Sequence, residues 1–167
     1  MRADIERAAQ AVRVAAEFDW TWTVNDLQPF CDRVGWQLSG LDEQFPAATT
    51  NLEVNRPDAS LFVADAPTPG LPRPINQIWF RVSDVVLDRT DLGPELDEVF
   101  DALVQRIFEL LGQRPTGWWI EPTRGLRWDL PAVVVTAAIS ATSVYVDLAS
   151  PAYRQWEDEI EQSGDDE

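Results

Sequence analysis

The chain has no histidine and no lysine, and its one cysteine, Cys31, lies in an apolar stretch. All 13 basic residues are arginine, whose guanidinium stays protonated. Catalysis near neutral pH draws mostly on His, Lys or Cys as acid, base, nucleophile or metal ligand. A serine nucleophile would find neither imidazole nor amine to activate it. Zinc sites lack their ligands, and no phosphate loop, dinucleotide fingerprint or nucleophile elbow occurs. These absences point to no cofactor and no metal. They leave carboxylate chemistry as the main enzymatic route and favour binding over catalysis.

Long apolar runs are missing too. The longest, residues 130–139, is about half of the ~20 residues a spanning helix needs. The first twenty residues have no continuous hydrophobic region and no small-residue cleavage pattern, so they do not read as a signal peptide. A single cysteine cannot close an internal disulfide, which fits a reducing cytoplasm.

What is present is acid. The 29 carboxylates against 13 Arg give a formal charge of −16. Residues 1–83 hold 11 acids and 7 Arg, a net of −4; residues 84–167 hold 18 acids and 6 Arg, a net of −12. Nucleic acid and anionic membrane are disfavoured partners, whereas a basic protein surface would be steered in. Eight Trp supply packing groups and candidate binding anchors.

Periodicity predicts a single α+β domain over residues 1–162: an antiparallel sheet packed by helices on one side, in the rough order α-α-β-β-β-α-β-β-β-α. An acidic disordered tail, 163–167, would follow. A first helix spans 4–17. A second follows Asn25, which can cap it with Gln28 reaching back, and stops at Gly35. Leu27, Phe30, Cys31 and Val34 form its inner face, which makes Cys31 a small buried hydrophobe. Strand character marks 36–41, 51–55, 60–64 and 75–88, with a stiff proline-rich connection over 66–74. The clearest element is a helix over 94–111: Pro94 stands at its start, Gly112 at its end, and Leu96, Val99, Phe100, Leu103, Ile107 and Leu110 recur at helical spacing. Short strands at 117–121, 126–130, 132–139 and 144–148 read as a meander, and a last helix starts at Ser150–Pro151.

Several groups invite a chemical reading. Asp84, Asp88, Asp91 and Glu95 suggest calcium but lack the alternating spacing and central Gly of the hand-type loop. Glu121 and Asp129, on neighbouring strands, could form a carboxylate pair of the glycosidase kind. Trp118 and Trp119 are adjacent and must face opposite sides of a strand, so one is expected to be more exposed. Trp20 and Trp22, two apart, would share a face of an extended segment beneath the first helix.

Two stretches carry a resemblance. FDWTWTVNDLQPFCDRVGWQL combines paired tryptophans with a short helix. ELDEVFDALVQRIFELLGQRPTGWWIEPTRGLRWDL combines a long helix, Leu111-Gly112, Pro115-Thr116 and a strand pair ending in Arg127-Trp128. Together they resemble a family of small actinobacterial proteins of unknown function, proteins that accompany polymorphic toxins or secretion loci. That resemblance implies an immunity-like role and carries over no catalytic residues. The expectation is a non-enzymatic cytoplasmic protein-binding module that neutralises a basic toxin domain. Its contact surface would comprise the acids Glu98, Asp101, Glu109, Glu157, Asp158 and Glu161, with an aromatic anchor from Trp118, Trp119 or Trp156. The rival reading is a secretion chaperone or adaptor holding a partner segment in an apolar groove; a carboxylate enzyme comes third.

Overall fold

A computed structural model of the chain describes residues 1–41 and 44–165. Eight strands form one antiparallel sheet in the order β1-β2-β3-β4-β8-β7-β6-β5. They are β1 (Gln37–Ser39), β2 (Ala47–Thr49), β3 (Asp58–Val63), β4 (Ile75–Arg81), β5 (Gly117–Trp119), β6 (Gly125–Asp129), β7 (Val134–Ile139) and β8 (Val144–Ala149). The helices are α1 (Ile5–Glu17), α2 (Leu27–Val34), α3 (Gly93–Leu111) and α4 (Pro151–Asp165). Two meanders, β1–β4 and β5–β8, are joined where β8 pairs with β4. The second meander can return to the first because α3 carries the chain from the middle of the sheet to its far edge.

Helix α3 forms as its pattern dictates. Pro94 sits in its first turn, Leu96, Phe100, Leu103 and Ile107 are buried, and Gly112 ends it with φ +66. Together with α1 and α2 it packs on one sheet face, against Val135, Ala137, Val146 and Leu148. An edge-to-face aromatic series, Phe18–Phe30–Trp36–Phe80, ties α1 and α2 to that face, with centroids 5.1–5.7 Å apart. Cys31 is fully buried there, and burial followed by nearby Asp32 pushes its thiol up to about 11.

Helices do not keep to one side. Arg127 of β6 pairs with Asp158 of α4, and Arg154 of α4 donates to Thr136 of β7. Arg127 and Thr136 are register partners on the face opposite Val135 and Ala137, so α4 covers the second face. All six residues of β7 are buried for this reason. Helix α4 also runs through residues 163–165, which the sequence reading assigned to a disordered tail. Its polar composition is helix-compatible, and Ser163 donates to the Ile160 carbonyl at 2.9 Å. Residues 166–167 lie outside the described residues.

Two local expectations are corrected. The second strand is β2, and residues 51–55 form a loop. Its backbone donors go to side chains instead of a ladder: Glu53 N–H to Asp4 at 3.0 Å and Asn55 N–H to Asp84 at 2.7 Å. Asn25 and Gln28 do not cap α2 either, since Gln28 donates to Asp32 while Asp26 organises the helix entrance.

On the α4 face, Trp119 lies flat over Gly125, where a Cβ would overlap its indole ring. We expect Gly125→Ala to lose about 2 kcal/mol in urea denaturation through this overlap. Adding Trp119→Ala should recover most of the loss; a double variant no more stable than Gly125→Ala alone would refute the cause.

Candidate functional site

A cleft of about 510 Å³ opens between the α1–α2 link, the β6–β7 turn and the start of α4. Its lining includes Phe18, Asp19, Trp20, Trp22, Pro131 and Ser150. The volume falls in the range of small-molecule and side-chain sites. Trp20 and Trp22 stack with centroids 4.2 Å apart and planes at 11°. They are not extended, as the sequence reading had them. Trp22 has φ +56, a left-handed backbone that costs a bulky residue roughly 1–2 kcal/mol.

Asp26 holds that turn in place. Its buried carboxylate accepts the N–H groups of Thr21 at 2.9 Å, Trp22 at 2.7 Å and Thr23 at 3.4 Å, and the Thr21 hydroxyl at 2.9 Å. The link is fastened to the sheet because Trp22 C=O accepts from Ile75 N–H at 2.8 Å. Both indole N–H groups are spent on the protein: Trp20 Nε1 donates to Ala15 C=O at 2.8 Å and Trp22 Nε1 to Ala132 C=O at 3.0 Å. The rings therefore offer the cleft only hydrocarbon and π-faces.

This helix–sheet frame is that of a family. A family model, described as a family of unknown function, DUF6301, matches residues 6–150, from α1 to the end of β8. The chain belongs to DUF6301. No curated protein and no solved structure matches it.

In this DUF6301 member the sheet divides the residues singled out from sequence. Trp118 pairs in register with Leu126 on the α3 face, whereas Trp119 lies over Gly125 on the α4 face. Trp118 is 72% exposed and Ile120 63%, both at the free edge of the sheet. Beside them lies a small hollow of about 180 Å³ that Phe100, Arg124 and Leu126 help to line. Trp156, 56% exposed, points outward from α4 beside Tyr153 and Ile160. Trp118 and Trp119 thus both border the hollow at the β5 edge, from opposite faces of the strand, whereas Trp156 stands apart on α4.

Most candidate acids already hold an arginine. Asp101 and Asp97 bind Arg124 at 2.8 and 3.0 Å, and Glu109 binds Arg106, which also grips Glu6. Asp158 binds Arg127 at 2.8 Å, which holds its carboxyl below the ordinary range, and Glu157 lies 3.7 Å from Arg154. Among the described residues, only Glu98 and Glu161 of the six have no ion pair. Arg106–Glu109 and Arg154–Glu157 stand three residues apart on one helix, whereas the partners of Asp101 and Asp158 come from another element, which sequence spacing does not show.

The catalytic and metal alternatives also meet their geometry. Asp129 is bound by Arg127 and Thr116 at the far end of β6, while Glu121 lies beyond Trp119 at the other end. The length of β6, about 13 Å, separates them, beyond the reach of a glycosidase pair. Arg89 bridges Asp91 and Glu95 at 3.1 and 2.6 Å, and Asp84 accepts the backbone N–H groups of Arg2 and Asn55. Among the described residues no group of three acids, Cys or His could hold a metal ion, and no helix is long and apolar enough to cross a membrane.

One group escaped the sequence reading. Asp147 on β8 is only 6% exposed and lies in register between Thr136 and Trp79, beneath α4. Its Oδ1 and the Nε of nearby Arg154 both lack hydrogen-bond partners. Burial pushes the Asp147 carboxyl up to about 7; Arg154 opposes the rise and Glu157 adds to it. A chain without histidine therefore does contain a group that titrates near neutrality. The signal for it was a lone acid, VYVDLA, inside an otherwise apolar strand.

Proposed function

We propose that this protein is a non-enzymatic binding module of the immunity kind, which neutralises a basic toxin domain by holding it at the β5 edge. The carrying observation is Trp118, the most exposed of the tryptophans, on the terminal strand of an eight-stranded sheet. A terminal strand leaves one side of its backbone free to pair, and an exposed Trp beside it supplies apolar area that a partner can desolvate. Ile120 extends the apolar area. Phe108, 39% exposed, lies on the flank of α3 that also carries Asp97, Asp101 and Val104.

The internal ion pairs change how charge contributes. Asp101, Glu109 and Asp158 each have an arginine, so they act less as free hooks than as parts of a polar rim. Attraction comes from the net charge of −16 as a field over the surface, which speeds encounter more than it deepens affinity. Trp118 provides the affinity.

The test starts with purification from native cells and identification of the protein that co-purifies; a toxin with a basic domain, encoded nearby, is expected. Titration of that domain against Trp118→Ala should show affinity reduced about thirtyfold, the size of a 2 kcal/mol hot spot. Association should slow as salt is raised. No toxin in the complex, or equal affinity of the Trp118→Ala variant, would overturn the reading.

A further inference from the structure

We propose that the Trp20–Trp22 cleft is a binding site for an organic cation, a trimethylammonium or guanidinium group seated against the tryptophan pair with Asp19 as counter-charge. The site is separate from the β5 edge and does not depend on the function proposed there.

The chemistry follows from what the lining offers. Asp19 is its only ionisable side chain, and it is exposed. Trp20 is flanked by Phe18 at 4.7 Å, Phe30 at 4.9 Å and Trp22 at 4.2 Å. Among the described residues Trp20 is the only ring stacked on Trp22, which also lines the cleft. An indole face attracts cations through its quadrupole, and more strongly where water is displaced. With both indole N–H groups committed to backbone carbonyls, neither ring can donate to an anion.

The start of α4 borders the same cleft and would ordinarily favour an anion. Most of its donors are already taken, and only the Ala152 N–H is left. Pro151 has no N–H, and Ser150 accepts from Tyr153 N–H through its hydroxyl and from Arg154 N–H through its carbonyl. The Thr21 hydroxyl donates to Asp26. Against one neutral N–H and the Ser150 hydroxyl, the cleft sets a full carboxylate and indole faces, which favours positive charge on an apolar body.

The backbone adds a second, independent reason. A tryptophan at φ +56 is kept only because Asp26 gathers three successive N–H groups around it. Strain held in this way is characteristic of ligand clamps. Its structural effect is to place Trp22 flat on Trp20 at the cleft wall.

The experiment titrates the full chain, followed by calorimetry and tryptophan fluorescence, with choline, with a Gly-Arg-Gly peptide, with 3,3-dimethylbutanol as the uncharged isostere of choline, and with acetate. Saturable binding of at least one cation is expected, with the neutral isostere and acetate at least tenfold weaker. Asp19→Asn, an exposed and conservative change, should weaken the cation about fivefold. Trp22→Leu should abolish binding, and an unchanged circular dichroism spectrum would show that the fold survives. Saturation by choline alone assigns the site to a free small molecule, and by the peptide alone to a protein segment; either supports the proposal. Equal binding of the isostere, no effect of Asp19→Asn, or no saturation by either cation would overturn it.

Discussion

Replacing Asp26 by Ala should lower folding stability by about 3 kcal/mol and unstack Trp20 from Trp22. The carboxylate receives four donors at once. A hydrogen bond to a charged group contributes roughly 1.5–3 kcal/mol. The full sum is not lost, because the Thr23 contact is long at 3.4 Å and some donors in this half-buried link would reach water. The left-handed Trp22 would then have nothing to hold it, and its backbone should relax to negative φ. Chemical denaturation with a fluorescence readout reports both effects: an earlier midpoint, and red-shifted native emission as the indoles separate. Asp26→Asn keeps one acceptor oxygen and should lose about half as much. As a control, Gln28→Ala removes only an exposed bond to Asp32 and should change stability by less than about 0.5 kcal/mol. A loss below about 1 kcal/mol in Asp26→Ala would mean that the stacked pair supports its own geometry.

How much of this was legible from sequence varies with how local each cause is. Helix α3 was legible almost to the residue because its start, stripe and stop are all written within its own span. The α2 entrance was not, since Asn25 and Asp26 are equally suited to capping. Which one turns back to gather the preceding N–H groups is decided by the tie between Trp22 and Ile75 of β4. Residues 51–55 alternate like a strand, and Leu52 and Val54 are indeed buried. Their backbone is satisfied by Asp4 and Asp84, far away in sequence, so the pattern was right about burial and wrong about the ladder.

The second sheet face shows the same division. The run 130–139, apolar but for Thr136, reads from sequence as a strand of the meander, with no layer assigned to its second face. Failure to alternate in a strand means that both faces are covered, which is where α4 lies. Of the candidate site, the exposure of one of Trp118 and Trp119 followed from strand geometry. The Trp20–Trp22 stack and the arginine partners of Asp101 and Asp158 depend on tertiary neighbours and leave no local trace, whereas Arg106 stands three residues before Glu109 on the same helix.

Asp147→Asn should stabilise the protein at pH 8 and flatten its pH dependence between about 4 and 7. The folded carboxyl titrates at about 7 against an ordinary 3.8. The native state therefore binds the proton more tightly than the unfolded chain. Stability from this group is complete below the unfolded value and is lost as pH rises through about 7. Three units correspond to at most about 4 kcal/mol, and relaxation of α4 away from the charge would reduce it. The carboxylates held low by arginine or backbone donors, such as Asp158 and Asp84, act in the opposite sense and only in more acid solution. The wild-type protein should thus be most stable near pH 4 and weaken toward pH 7, with little further change above it. General repulsion among the many acids would give a similar slope, so Glu98→Gln, which removes one exposed charge, is the comparison. If repulsion dominates, both variants flatten the curve equally. If the buried carboxyl dominates, only Asp147→Asn does, because the penalty comes from a charge with no partner for Oδ1 beneath α4, where Thr136, Trp79, Arg154 and Glu157 surround it.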